Sequence, residues 1–221
     1  MRQEKTPKEI KEQIKKQLKE EAKEILKTKE KDKILKWEYN KEIKAGSLNI
    51  KGIMKPGKRE EIEIYMREND INILLIQETF VNTTCIETRK NYTFYFSGDG
   101  NRSNTKGEVD KYTPAGVGIV INNELRNYIE DIDPINDRIM SITLGNTMPT
   151  TFINNYSRPA TKKHSTEDKI EHYEKLKETQ LKHQGKGPTF TMGDFNARIQ
   201  RKLNEQETPI GKHTFDKKMI G

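Results

Sequence analysis

Hydrophobic positions are sparse along this chain and come in short runs divided by charged stretches. From Ser47 onward the runs alternate between a period of two and a period near 3.6, the pattern of strands interleaved with helices. Leu48 to Ile53 and Ile71 to Ile76 read as short buried strands. Between them Lys58 to Glu68 carries Ile62, Ile64, Tyr65 and Met66 on a predicted amphipathic helix. Further strands are predicted over Tyr92 to Phe96, Gly116 to Ile121, Arg138 to Leu144 and Thr150 to Tyr156. A second helix covers Thr166 to Lys182, its stripe of Ile170, Tyr173, Leu176 and Leu181 set to pack on a sheet. Gly185 to Pro188 stops that helix before a last strand, Thr189 to Met192. Ser97 to Tyr112 has no apolar pattern and is long enough for a functional surface loop.

The first 45 residues follow a different rule, since more than half of them are charged. Thr6-Pro7-Lys8-Glu9 opens a helix, because the Thr hydroxyl accepts from a free backbone N–H, Pro has none to lose, and the Glu reaches back. Ile10, Ile14, Leu18, Ala22, Ile25 and Leu26 then form a narrow stripe whose steps of four do not sustain the 3.5-residue repeat of a coiled coil. Residues 7 to 36, extending ~45 Å as a helix, read either as a solvated helix docked along one stripe or as a partner helix. The chain thus divides into a highly charged helical extension, 1–45, and a globular domain, 46–221.

Composition narrows the class. Only 31% of the 221 residues are hydrophobic and the net charge is +7. Leu, Ile, Val and Phe make up about a fifth of the chain, close to the ~20% below which a chain tends to stay disordered, so the core must be economical. The basic excess lies mostly in the extension, so it does not by itself mark the globular part as a nucleic-acid binder. No apolar run approaches the ~18 residues of a spanning helix, and no secretory h-region follows Met1. The single cysteine, Cys85, rules out an intrachain disulfide and a Cys-built zinc site. The expectation is a soluble, intracellular protein without a membrane partner. His164, His172, His183 and His213 share no metal-ligand spacing, with His172 and His183 expected on an exposed helix, and Arg138 reads as a structural ion-pair residue.

Candidate chemistry sits where two strands end in acids, at Gln77-Glu78-Thr79 and at Gly193-Asp194-Phe195-Asn196-Ala197. Ligand crevices commonly form at the carboxyl ends of strands, and two carboxylates there suit a hard cation such as Mg2+, which prefers oxygen and retains waters. Such an ion polarises a phosphoryl oxygen while the second carboxylate orients or deprotonates a water. Taken alone, Gly-Asp-x-Asn after a strand also reads as an Asx turn.

Five segments in order resemble the endonuclease/exonuclease/phosphatase superfamily, the fold of DNase I and of apurinic endonucleases. They are Leu48-Asn49-Ile50-Lys51-Gly52-Ile53, Ile76-Gln77-Glu78-Thr79, Ala115-Gly116-Val117-Gly118-Ile119, Asn155-Tyr156-Ser157-Arg158-Pro159 and Met192-Gly193-Asp194-Phe195-Asn196-Ala197. The segment Thr208 to Phe215 is most similar to endonuclease domains of non-LTR retrotransposons. The resemblance implies an α+β fold, a DNase I-like four-layer α/β sandwich of two packed mixed sheets flanked by helices. It implies DNA as partner, a nuclear location if DNA is the substrate, and Mg2+ or Mn2+ as cofactor. Glu78 becomes the metal ligand, with Asn49 beside it positioning carboxylate, metal or phosphate. Asp194 holds or activates the water. Asn196, two residues on, projects to the same side if the backbone stays extended and donates to phosphate. Tyr156 donates to a phosphate oxygen or steadies the leaving group. Arg158, Arg198 and Arg102 become phosphate contacts. The family's Ser-Asp-His-type motif is absent downstream of Asp194, so the resemblance implies a domain incomplete at its C-terminus, with catalysis weak or lost. Three readings stand: a DNA-nicking phosphodiesterase, a hydrolase of the same fold on small phosphate esters, and a non-catalytic remnant that binds nucleic acid or a partner.

Overall fold

The computed structural model describes Lys16, Glu20 and residues 42–98, 115–145, 148–158 and 166–197. Lys16 and Glu20, both helical and exposed, form an (i, i+4) ion pair at 4.0 Å. Among the described residues nine strands form two sheets. The first contains β1 (Ala45–Asn49), β2 (Ile73–Gln77), β3 (Cys85–Thr88), β4 (Tyr92–Ser97) and β5 (Val117–Asn122), in the order β1-β2-β5-β4-β3. The second contains β6 (Ile129–Pro134), β7 (Ile139–Leu144), β8 (Thr150–Tyr156) and β9 (Thr189–Asp194), in chain order. Both sheets are mixed, because β1 runs parallel to β2 and β8 parallel to β9 while the other pairings are antiparallel.

Strand periodicity sorts the core into layers. On β2, Ile73 and Leu75 face the second sheet and, with Ile119 and Ile121 of β5, form one cluster with its Met140, Ile142, Phe152 and Tyr156. Leu74 and Ile76 face the other way, onto Ile62 and Met66 of helix α1 (Lys58–Glu68). On the far face of the second sheet, Ile139 and Ile153 meet Leu176 of helix α2 (Thr166–His183). The result is helix, sheet, sheet, helix, the DNase I-like four-layer sandwich.

Several elements depart from the sequence expectation. The first strand ends at Asn49 rather than running to Ile53, because Lys51 (φ 49°) and Gly52 (φ 100°) turn the chain so that Gly52 N–H donates to Glu78 O at 2.7 Å. β3, β6 and a 3-10 turn at Asn123–Tyr128 were not anticipated. Helix α2 docks by a different face. Its buried residues are His172, Leu176, Thr179 and His183, spaced four, three and four apart, while Ile170, Tyr173 and Leu181 lie outside at 53%, 45% and 55% exposure. The sheet beneath offers polar partners: Thr151 Oγ1 meets His183 Nδ1 at 3.4 Å, and Asn155 meets His172. His172 and His183 are therefore buried, not displayed on an exposed helix. Ser97 is the buried end of β4, and residues 99–114 lie outside the described residues.

A buried polar cluster centred on Asn154 crosses between the sheets. Asn154 on β8 is fully buried, accepts from Gln77 Nε2 at 2.7 Å, and donates to Ile76 O at 2.9 Å and Gly118 O at 2.8 Å. Because each partner belongs to the first sheet, this amide sets the register of one sheet upon the other.

Candidate active site

Both parallel strand pairs end on the same edge of the sandwich. Asn49 closes β1, Glu78 follows the last residue of β2, Tyr156 closes β8 and Asp194 closes β9, with Tyr156 and Asp194 register partners. The structure brings these four side chains together. Asn49 Nδ2 donates to Glu78 Oε1 at 2.9 Å and to Asp194 Oδ2 at 3.1 Å, so one amide bridges the two carboxylates. Tyr156 Oη donates to the same Glu78 Oε1 at 2.9 Å.

Local backbone geometry aims Glu78. Its φ of 53° is left-handed, a conformation that costs a non-glycine residue about 1–2 kcal/mol. Hydrogen bonds on either side hold it: Glu78 O accepts from Gly52 N–H, and Thr79 N–H donates to Gly116 O at 3.0 Å. Gly116 (φ 87°) must lack a side chain, since a Cβ there would lie 2.4 Å from Thr79 Oγ1. A strained residue pinned by its surroundings in this way is a common mark of a functional position.

Tyr156 is 1% exposed, and the Arg138 guanidinium lies over its ring at 4.9 Å. Burial pushes the phenol well above its ordinary pKa; the hydrogen bond to Glu78 and that residue's charge push the same way, and Arg138 opposes them. Tyr156 therefore keeps its proton and acts as a donor. Arg138 is 3% exposed.

Asn196 takes a different pose from the one expected. Its φ of 47° breaks the extended backbone, its N–H returns to Asp194 Oδ1 at 2.8 Å, and its Nδ2 donates to Ser157 O at 2.7 Å. Its amide thus buttresses the turn after Asp194, where a straight strand would have thrown it forward. Arg158 lines a cleft of about 400 Å3 with Arg138, His172 and the acidic residues of α2. Arg102 and Arg198 lie outside the described residues. A second cleft, of about 480 Å3, opens beside Asp194 between Ser47, Asn49, Gln77, Tyr173 and Phe195. Sequence reasoning missed Gln77, Asn154, Asn155 and His172 as supports of the site. The available signal was the run of amides Asn154-Asn155 inside an otherwise buried strand.

The donor set can be tested for a metal. Glu78 Oε1 already accepts two hydrogen bonds, whereas Oε2 accepts none from the described residues. Among the described residues no group of three or more His, Cys, Asp or Glu is placed to hold a metal ion. One or two carboxylates, with waters and substrate oxygens completing the shell, fit Mg2+.

No protein-family model matches the chain, and no curated protein matches its sequence. Solved structures do. An AP endonuclease from Archaeoglobus fulgidus is 20% identical with a TM-score of 0.51, over 72% of this chain and 60% of that one. The endonuclease domain of TRAS1, a telomere-specific non-LTR retrotransposon, is 19% identical with a TM-score of 0.45, over 69% and 58%. An endonuclease/exonuclease/phosphatase family protein from Leptotrichia buccalis is 16% identical with a TM-score of 0.45, over 71% and 67%. The chain therefore spans about 60% of the AP endonuclease and of the TRAS1 domain. The fold is that of the Archaeoglobus fulgidus AP endonuclease.

Proposed function

We propose that this domain hydrolyses phosphodiester bonds with the help of Mg2+ or Mn2+, and that it nicks DNA in the manner of a retrotransposon-type endonuclease domain. The observation that carries the proposal is the single Asn49 amide bridging Glu78 and Asp194, with Tyr156 donating to the same Glu78 oxygen. Glu78, whose Oε2 accepts no hydrogen bond from the described residues, would hold the cation. When bound, the cation supplies Lewis-acid polarisation of a phosphoryl oxygen and neutralises developing charge.

The protein's own groups then have distinct tasks. Asn49 fixes the separation of the two carboxylates and turns Asp194 Oδ2 toward Glu78. Asp194, anchored through Oδ1 by the Asn196 N–H, orients a water and takes its proton. Tyr156 donates its single phenol proton to Glu78 Oε1 and so holds that carboxylate in place; to serve a phosphate or leaving oxygen the hydroxyl would have to turn away from Glu78. The paired strand ends keep these groups rigid, so the attacking geometry is set before substrate arrives.

The test is nicking of supercoiled plasmid by the purified chain with Mg2+, against EDTA and an Asp194→Ala variant. Activity lost in both controls supports the proposal. Folded protein that leaves plasmid intact overturns the DNA reading. If that same protein hydrolyses a soluble phosphate ester with Mg2+, the small-ester reading replaces it.

A further inference from the structure

The buried face of α2 carries a polar chain that ends at the candidate catalytic residues. His172, 6% exposed, places Nε2 2.9 Å from Asn155 Oδ1 and 3.4 Å from Ser157 Oγ. Asn155, fully buried, passes Nδ2 to Ser157 Oγ at 2.9 Å. Ser157 then grips both residues after β9 through its backbone: its N–H donates to Asp194 O at 2.8 Å and its carbonyl accepts from Asn196 Nδ2 at 2.7 Å. Alternation along β8 makes this arrangement two-sided. Tyr156 turns inward between the sheets to Glu78, while Asn155 turns outward to α2.

Packing alone does not require an imidazole here. Leu176, Thr179 and His183 already dock the helix, and an apolar side chain would fill the same space at no desolvation cost. Burial, then Arg138 and Arg158, push the imidazole pKa down to about 4, with Asp137 opposing, so it carries one N–H at neutral pH. Because Asn155 Oδ1 is an acceptor, that proton is assigned to Nε2.

We propose that His172 is a positioning residue, which through Asn155 and Ser157 fixes the backbone that orients the Asp194 carboxylate and the Asn196 amide. Its effect on catalysis rests on the reading of Asp194 as catalytic; its effect on geometry does not.

The experiment compares His172→Leu, His172→Gln, Ser157→Ala and the His172→Leu/Ser157→Ala double variant. Nicking kcat and KM, urea midpoints, and the 1H–15N resonances of the Ser157 N–H and the Asn196 side-chain amide are measured. Removing an outer support of this kind typically costs about 10- to 100-fold, so His172→Leu is expected to lose about that much kcat with KM little changed. His172→Gln, whose amide nitrogen reaches the Nε2 position, recovers most of it. The double variant is no slower than His172→Leu alone, because both break one chain. The Ser157 and Asn196 resonances shift in His172→Leu and return in His172→Gln. Unchanged kcat, a loss that Gln does not rescue, or unmoved resonances overturn the proposal. If the wild-type protein does not nick plasmid, the proposed function fails by itself and the resonances alone decide this inference. If His172→Leu does not fold, Ser157→Ala carries the same readouts.

Discussion

Tyr156→Phe removes one oxygen from the site and leaves the rest of the side chain in place. The ring stays buried between the sheets with the Arg138 guanidinium over it, so packing is conserved. Glu78 Oε1 keeps its bond from Asn49 Nδ2, so no carboxylate oxygen is stripped of all partners. What disappears is a 2.9 Å hydrogen bond to a carboxylate, and bonds to charged groups contribute about 1.5–3 kcal/mol. If that bond acts fully in the transition state, kcat/KM falls by roughly 10- to 150-fold. Stability should fall by no more than about 3 kcal/mol, the upper net worth of a hydrogen bond to a charged group. The assay pairs plasmid nicking in Mg2+ with urea unfolding of the same preparations. Nicking within threefold of wild type at an unchanged urea midpoint refutes the role given to the phenol. Because burial and Glu78 both raise the phenol pKa, the wild-type pH profile should also show no loss from Tyr156 ionisation up to pH 10.

Asn154→Asp sets a carboxyl against Ile76 O and Gly118 O, now 2.9 and 2.8 Å from the amide nitrogen. Its folded pKa must rise above the unfolded value, so the penalty is small near pH 4 and grows as pH rises. A rise of about two units corresponds to about 3 kcal/mol by pH 7, and urea midpoints that shift equally at both pH values contradict this. Gly193→Ala would place a Cβ 1.8 Å from Asn155 O at φ 144°, directly behind Asp194. It should cost more than about 3 kcal/mol, whereas Gly57→Ala, with nothing within 4 Å and only its φ of 77° at stake, should cost about 1 kcal/mol; similar thermal shifts refute that contrast. His172, with its pKa lowered from 6.5 to about 4, contributes stability that is complete above pH 6.5 and lost as pH falls toward 4. The shift corresponds to about 3 kcal/mol, and His172→Gln should flatten this part of the stability curve, as measured by urea unfolding across that range.

Much of the fold was legible because its apolar runs are short and cleanly bounded. Helix α1 and strand β8 coincide with their sequence bounds, since Gly57 and Asn69 cap the one and Tyr156 closes the other. β3 and β6 were hidden for opposite reasons. β3 is a four-residue edge strand, only half-buried, while β6 reads Ile-Glu-Asp-Ile-Asp-Pro and carries an irregularity between Ile129 and Asp131 that breaks its alternation. The docking face of α2 was misread because hydrophobicity is a poor guide where the sheet below is polar. His172 and Thr179 go inward, and Ile170 and Leu181 stay out. Glu78 and Asp194 were candidates already as acids at strand ends, whereas Asn49 and Tyr156 were singled out by resemblance, since nothing in the spacing says that the four meet. That one amide spans both carboxylates, and that Asn196 bends back to Ser157, depends on left-handed backbone at Glu78 and Asn196 that no local pattern announces.

The bond from Asn49 to Asp194 joins residues 145 positions apart, and that span orders events during synthesis. At about 5–20 residues per second, roughly 7 to 30 seconds pass between the emergence of the amide and that of its second carboxylate. Through that interval β1 and β2 can pair and Glu78 can take its turn, yet the β9 end of the site does not exist. The candidate site is thus among the last features of the described sandwich to form, and a nascent chain still attached to its ribosome and its message holds only part of that site until almost all of the described sandwich has been made.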